Sequence, residues 1–164
     1  MKKLSIEIKW ALLHIAMYLV WMILERALGF HDEYLEKQPI VTMFVLVPSI
    51  LFYVLALLQK RKKFYGGYMT YKQGFISGVV LSAIITLFTP LLQVIISLVI
   101  TPDYFNKVID YVVTHGMFTK EQAEAQFNLN NYIIQSTIWA MLFGIVITAI
   151  VAIFTIKRNR NVTF

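Results

Sequence analysis

Four long apolar runs dominate this chain, at Trp10–Leu28, Ile40–Leu58, Gly74–Ile100 and Tyr132–Ile156. Each is close to or above the ~20 residues that an α-helix needs to cross a ~30 Å hydrocarbon core. Four such runs in 164 residues leave almost no polar chain to wrap around them. The fold class this dictates is all-α: a polytopic membrane protein with four transmembrane helices, forming a single membrane domain over residues 1–164. Composition agrees, with 59% apolar residues and a mean hydropathy of +0.68, against roughly 45–50% apolar in soluble domains. The first run is too long for the h-region of a signal peptide and contains His14, Glu25 and Arg26, so it is expected to be retained.

Charge placement predicts the threading. The N-terminal segment (Lys2, Lys3, Glu7, Lys9) carries +2, the 59–73 loop (Lys60, Arg61, Lys62, Lys63, Lys72) +5, and the tail (Lys157, Arg158, Arg160) +3. The connections near Asp32–Lys37 and across 101–131 each carry −2. The positive-inside rule puts both termini and the basic loop in the cytoplasm. Lys60, Arg61, Lys62 and Lys63 are therefore read as a topology signal, with anionic lipid head groups as a compatible contact. Nothing supports nucleic-acid binding. Aromatic residues fall where interfacial belts belong: Trp10, Phe64, Tyr65, Tyr68 and Tyr71 on the basic side, and Phe30, Tyr34, Tyr104 and Tyr132 on the other. Gly66–Gly67 marks a turn in the basic loop.

The 101–131 connection reads as a short extracytoplasmic helical cap. Thr101 followed by Pro102 predicts a helix start. Phe105, Val108, Ile109, Val112 and Val113 then make one apolar face, and His115–Gly116 a stop. Thr119 and Gln122 predict a capping box for a second helix ending near Phe127. Two roles stand open for these helices: covering the bundle mouth or docking a partner.

Small and polar residues stripe the spans, as helix packing in lipid requires. Ser136, Ala140, Gly144, Thr148 and Ala152 recur every four residues, and Gly74, Gly78 and Ser82 do the same before Thr86, Thr89, Gln93 and Ser97. These seams predict packing of the third span on the fourth, with a homodimer as the alternative. Pro90 removes a backbone donor and frees the Thr86 carbonyl, which Thr86, Thr89 or water is expected to satisfy. Pro48 is expected to perturb the second span in the same way.

The first span carries Glu7, Ala11, His14, Tyr18, Trp21 and Glu25 along one ~80° face. Glu25 lies ~10 Å outward of mid-span, and Gln93 and Gln135 fall at similar depths by residue rise. Glu25, Arg26, His14, Tyr18, Gln93 and Gln135 are thus candidates for an intramembrane polar site. A buried carboxylate in lipid needs partners and marks a functional site by default. For Glu25 a structural role, a ligand or proton site, and a water-facing position all remain open. Arg26 is expected to snorkel to water. His14 is expected to bond Tyr18 or a backbone carbonyl, with a proton relay toward Glu25 as the sharper alternative.

Conventional chemistry is missing. With no cysteine there is no disulfide, thiolate metal site or thiol nucleophile. No phosphate loop, GxSxG elbow or HExxH pair is present. The expectation is a non-enzymatic protein without cofactor or metal.

Several segments carry a resemblance: Trp21–Arg26 with Gly29–Asp32, Tyr71–Gly78, Thr101–Phe105, Glu124–Asn128 and Asn131–Ser136. Together they resemble a family of small four-helix bacterial membrane proteins catalogued as a domain of unknown function. The resemblance implies a Gram-negative inner-membrane protein without an assigned activity and supplies no functional residues. Function is then expected to be assembly with a copy of itself or with a membrane partner. The alternative is a small transporter or channel component using the polar layer.

Overall fold

The computed structural model describes residues 4–157; the expectations on Lys2, Lys3, Arg158 and Arg160 lie outside them. Seven α-helices are described: α1 (Ser5–Ala27), α2 (Gln38–Met43), α3 (Leu46–Lys63), α4 (Tyr71–Ile95), α5 (Tyr104–Thr114), α6 (Lys120–Gln126) and α7 (Leu129–Thr155). A 3-10 turn at Leu35–Lys37 precedes α2, and a π turn at Ile96–Ile100 extends α4. Among the described residues there is no strand, only one antiparallel bridge between Met69 and Lys157. Four helical segments are long and apolar enough to cross a membrane: Ser5–Ala27, Leu35–Lys63, Tyr71–Ile100 and Leu129–Thr155. The chain is all-α, as its apolar runs dictate.

Burial is inverted relative to a soluble bundle. Leu12, Leu24, Leu87, Leu91 and Phe154 face outward, while Ser49, Ser77, Ser82, Thr148 and Thr155 are buried. This pattern suits a solvent as apolar as leucine, in which small and polar residues hold helices together.

The central seam joins α4 to α7, antiparallel. Gly74 faces Ala152, Gly78 faces Thr148 and Ser82 faces Gly144. A Cβ built on Gly78 would sit 2.4 Å from Thr148 Cγ2, and one on Gly144 2.5 Å from Ser82 Oγ. The glycines are there because the backbones are that close. The seam is therefore intramolecular, as its spacing favoured. It stops short of the expected length: Ala140 and Ser136 line a cavity instead of packing. On α4 the Gly and Ser positions give way there to Thr86, Thr89 and Gln93, and Thr89 and Gln93 line the same cavity.

The two prolines have different effects. α4 continues through Pro90. Thr89 Oγ1 donates to the Ile85 carbonyl at 3.1 Å and Thr86 Oγ1 points at Met141 Sδ at 3.8 Å, so neither hydroxyl satisfies the Thr86 carbonyl. Pro48 sits in the first turn of α3 and near the middle of the Leu35–Lys63 span, as expected. It cannot donate to the Phe44 carbonyl, which instead accepts from Val47 N at 3.1 Å. The second span is consequently broken at Phe44–Val45 into α2 and α3.

At the cap end, Val108 and Val112 of α5 and Ala123 of α6 form a small apolar cluster with Leu35, Ile109 and Phe127. The Thr119–Gln122 capping box is present, and α5 ends at His115–Gly116, as expected. Thr101 does not cap α5. Its N and Oγ1 both bond the Ile96 carbonyl, closing the π turn, and α5 starts at Tyr104 after Asp103.

Candidate functional site

α1 presents its polar face inward, with Glu7, Ala11 and Glu25 buried and His14, Tyr18 and Trp21 half-buried. At the cap end of that face Glu25 is 2% exposed. Three donors converge on its carboxylate. Trp21 Nε1 donates to Oε1 one helical turn back, Thr42 Oγ1 to Oε2 at 2.8 Å, and His31 Nε2 lies 3.1 Å from Oε2. His31 gets there because Gly29, at φ +81°, turns the chain back over the end of α1. No L side chain adopts that conformation without strain.

The network continues outward. Gln38 Nε2 donates to Thr42 Oγ1 at 2.9 Å, and Tyr104 OH donates to Gln38 Oε1 at 3.3 Å. The Tyr104 and Tyr132 hydroxyls stand 3.4 Å apart. A half-buried path of hydrogen bonds thus runs from α1 through α2 to the cap. Burial first, then the adjacent Tyr132, then the Glu25 charge hold the Tyr104 phenol above its ordinary pKa of 10.0. Asp32 and Lys107 add an ion pair between the α1–α2 turn and α5.

The expected polar layer is only partly assembled. Arg26 is exposed, and its Nη1 donates to the Ile100 carbonyl at the end of the π turn, an acceptor left open by the helix terminus. Gln135 is exposed on the outer face of α7, away from Glu25. Its direction depends on how α7 is rotated, which the α4 seam sets. His14 bonds neither Tyr18 nor a carbonyl. Its Nε2 lies 3.1 Å from Ser49 Oγ, and its ring meets Phe52 and Tyr53 edge-on. Among the described residues no hydrogen bond links His14 to Glu25.

His14, Tyr18 and Gln93 instead share a cavity of about 640 Å³. Its walls come from α1, α2, α3, α4 and α7, in the cap half of the bundle. Ser49, Thr89 and Ser136 contribute hydroxyls; Leu46, Ile85, Leu92 and Ile96 contribute apolar surface. Met43 on α2 and Trp139 and Phe143 on α7 line it too, and all three are exposed on the lipid-facing side. α7 packs on α3 and α4 but makes no comparable seam with α2. The cavity exists because α2 is broken from α3 and because the α4–α7 stripe stops short. The volume is in the range of small-molecule sites.

A second buried polar cluster sits at the end bearing the termini. Lys60 Nζ lies 2.7 Å from Glu7 Oε1, and Ser77 Oγ donates to the same oxygen at 2.6 Å. Lys60 also lies 4.1 Å from the Phe64 ring. Arg61 Nη1 donates to the Thr155 carbonyl at 2.9 Å, capping α7. Lys60 and Arg61 thus also make structural contacts, while Lys62 and Lys63 are exposed. The basic run hid this because four adjacent cations look alike until helix phase turns one inward. Burial first and then the Glu7 charge raise the Tyr65 phenol above its ordinary value.

Sequence reasoning missed His31, Thr42, Gln38, Tyr104 and Ser49 as partners. All but Tyr104 lie in or beside the broken second span, whose phase no single periodicity describes. Among the described residues no group of three or more His, Asp or Glu side chains is placed to hold a metal. No curated protein matches the chain, and no solved structure does. The model of one family, described as a protein of unknown function (DUF4199), matches residues 9–157. The chain belongs to that family.

Proposed function

We propose that this is a non-enzymatic multi-pass protein of a bacterial cytoplasmic membrane that takes a membrane-soluble small molecule into the cavity between α2–α3 and α7. Its role is that of a carrier or transporter component. The observation that carries this reading is the cavity itself: concave, mostly apolar, with a few convergent polar groups and a rim of exposed apolar side chains. The seams and apolar cap faces that motivated an assembly role are largely occupied within the chain, which moves the balance to ligand handling. Both termini and the loop before α4 are assigned to the cytoplasm on charge, putting the cavity in the outer leaflet.

The test is to extract the protein from native membranes into nanodiscs without detergent and identify co-purifying small molecules by mass spectrometry. Ala140→Trp fills the cavity from α7. A molecule held by the wild type and lost from the variant is expected. Identical small-molecule content in the two would sink the reading.

A further inference from the structure

Three features of the cavity wall define the head group it accepts. First, the lining contains no Lys, Arg, Asp or Glu. The nearby charges are committed elsewhere, Glu25 to its three donors and Arg26 to the Ile100 carbonyl. A charged head would be buried without a counterion, at a cost of several kcal/mol.

Second, most lining hydroxyls are already spent. Ser49 donates to the Val45 carbonyl at 2.8 Å, Thr89 to Ile85, Ser136 to Ile133 and Thr42 to Glu25. Three polar groups keep unused capacity. His14 Nδ1 is buried without a partner among the described residues. With Ser49 donating to Val45, the His14 ring donates from Nε2 to Ser49 and leaves Nδ1 as an open acceptor. Gln93 is only 9% exposed and makes one described hydrogen bond, from Nε2 to Ser97 Oγ at 3.0 Å. Its carbonyl oxygen and second N–H are left over. Tyr18 lines the same cavity, and its hydroxyl has no protein partner among the described residues. Buried polar groups left unpaired are costly and call for a partner.

Third, the two ends of the cavity differ. Gln93 and Tyr18 belong to the inner wall formed by α4 and α1. Trp139 and Phe143, on α7, are 54% and 46% exposed.

Resting on the ligand-binding reading above, we infer that the cavity takes an uncharged amphiphile whose head both donates and accepts hydrogen bonds, as a hydroxyl or a primary amide does. The Gln93 carboxamide and the Tyr18 hydroxyl hold the head, with His14 Nδ1 as a further acceptor on the same wall, and the apolar tail leaves past Trp139 and Phe143.

The experiment uses the full chain in nanodiscs and three probes. They are a dodecyl alcohol tipped with bromine at its far end, the methyl ether of that alcohol, and the corresponding alkyltrimethylammonium. Bromine quenches tryptophan on contact. The chain has three tryptophans, so the Trp139 component is isolated by subtracting the Trp139→Phe trace. The alcohol is expected to give a saturable Trp139 component, with the ether and the ammonium at least tenfold weaker. Gln93→Leu and Tyr18→Phe are each expected to bring the alcohol down to the level of the ether, with thermal unfolding confirming that the variants remain folded.

An ether or ammonium that binds as well as the alcohol overturns the head-group assignment and leaves the cavity reading standing. So does alcohol binding unchanged in both Gln93→Leu and Tyr18→Phe. Saturation by none of the probes, with Ala140→Trp indistinguishable from wild type, overturns the cavity reading itself and indicates that ordered water alone serves these groups.

Discussion

Glu7 and Lys60 form the contact on which single-residue arguments are sharpest. Both are buried, they are 2.7 Å apart, and Ser77 completes the carboxylate. Removing one member leaves an uncompensated charge, so Lys60→Met is expected to destabilise by about 3–5 kcal/mol. The double variant Glu7→Gln/Lys60→Met is expected to recover most of that loss. A double-mutant cycle on unfolding in mixed micelles measures both. Glu25→Ala orphans three donors at once, and a cost of about 3–5 kcal/mol is expected, as for other broken buried networks. Faster amide exchange in α2 is the local readout, since Thr42 is its tie to α1. Tyr104 gives a pH dependence. Its phenol is held above the ordinary value, so the stability it contributes is fully present below pH 10.0 and is lost as pH rises through its folded value. Alkaline loosening of the cap, followed by exchange in α5, is expected in the wild type and reduced in Tyr104→Phe. At this scale the sequence was half legible. Glu25 and His14 stood out because a polar side chain in an apolar run is expensive wherever it points. Their partners did not, because Thr42 and His31 come from a broken span and a reversed turn.

Elements were more legible than contacts. The four spans and the two cap helices follow from run length, caps and apolar faces, all of which are local. The α4–α7 seam also showed itself, because close backbone approach selects Gly, Ala and Ser at every fourth position. Its limit at Thr86 did not, since the end of a packing stripe on one helix shows only once the facing helix is known. Gly78→Ala tests the seam. The new methyl would meet Thr148 at 2.4 Å, and a loss of about 1–3 kcal/mol is expected from overpacking. Thr148→Ala in the same chain removes the obstructing atoms and should restore part of it. No recovery in the double variant would place the strain elsewhere.

For the molecule as a whole, the charge asymmetry makes a topology prediction that the cysteine-free sequence makes easy to read. Single cysteines introduced at Lys62 and at Glu121 should react with a membrane-impermeant thiol reagent from opposite sides of the bilayer. In intact cells Glu121→Cys is labelled from outside and Lys62→Cys only after permeabilisation; the reverse pattern would invert the orientation. Membrane class was legible from the chain alone because it rests on totals, whereas the cavity was not. It arises from two local failures of regularity, the Pro48 break and the shortened seam, coinciding in one half of the bundle.

The series of contacts from Tyr104 through Gln38 and Thr42 to Glu25 has a mechanical side. Hydrogen bonds in series behave as a tether with little slack, anchored in α1 at one end and in the cap at the other. Between those anchors the tether passes through α2, the short helix that carries Pro39, Thr42 and Met43 on the cavity wall. A load that displaces α5 must therefore snap the Tyr104 link or drag α2 with it. Force applied to the cap is thereby directed, through α2, at the rim of the cavity.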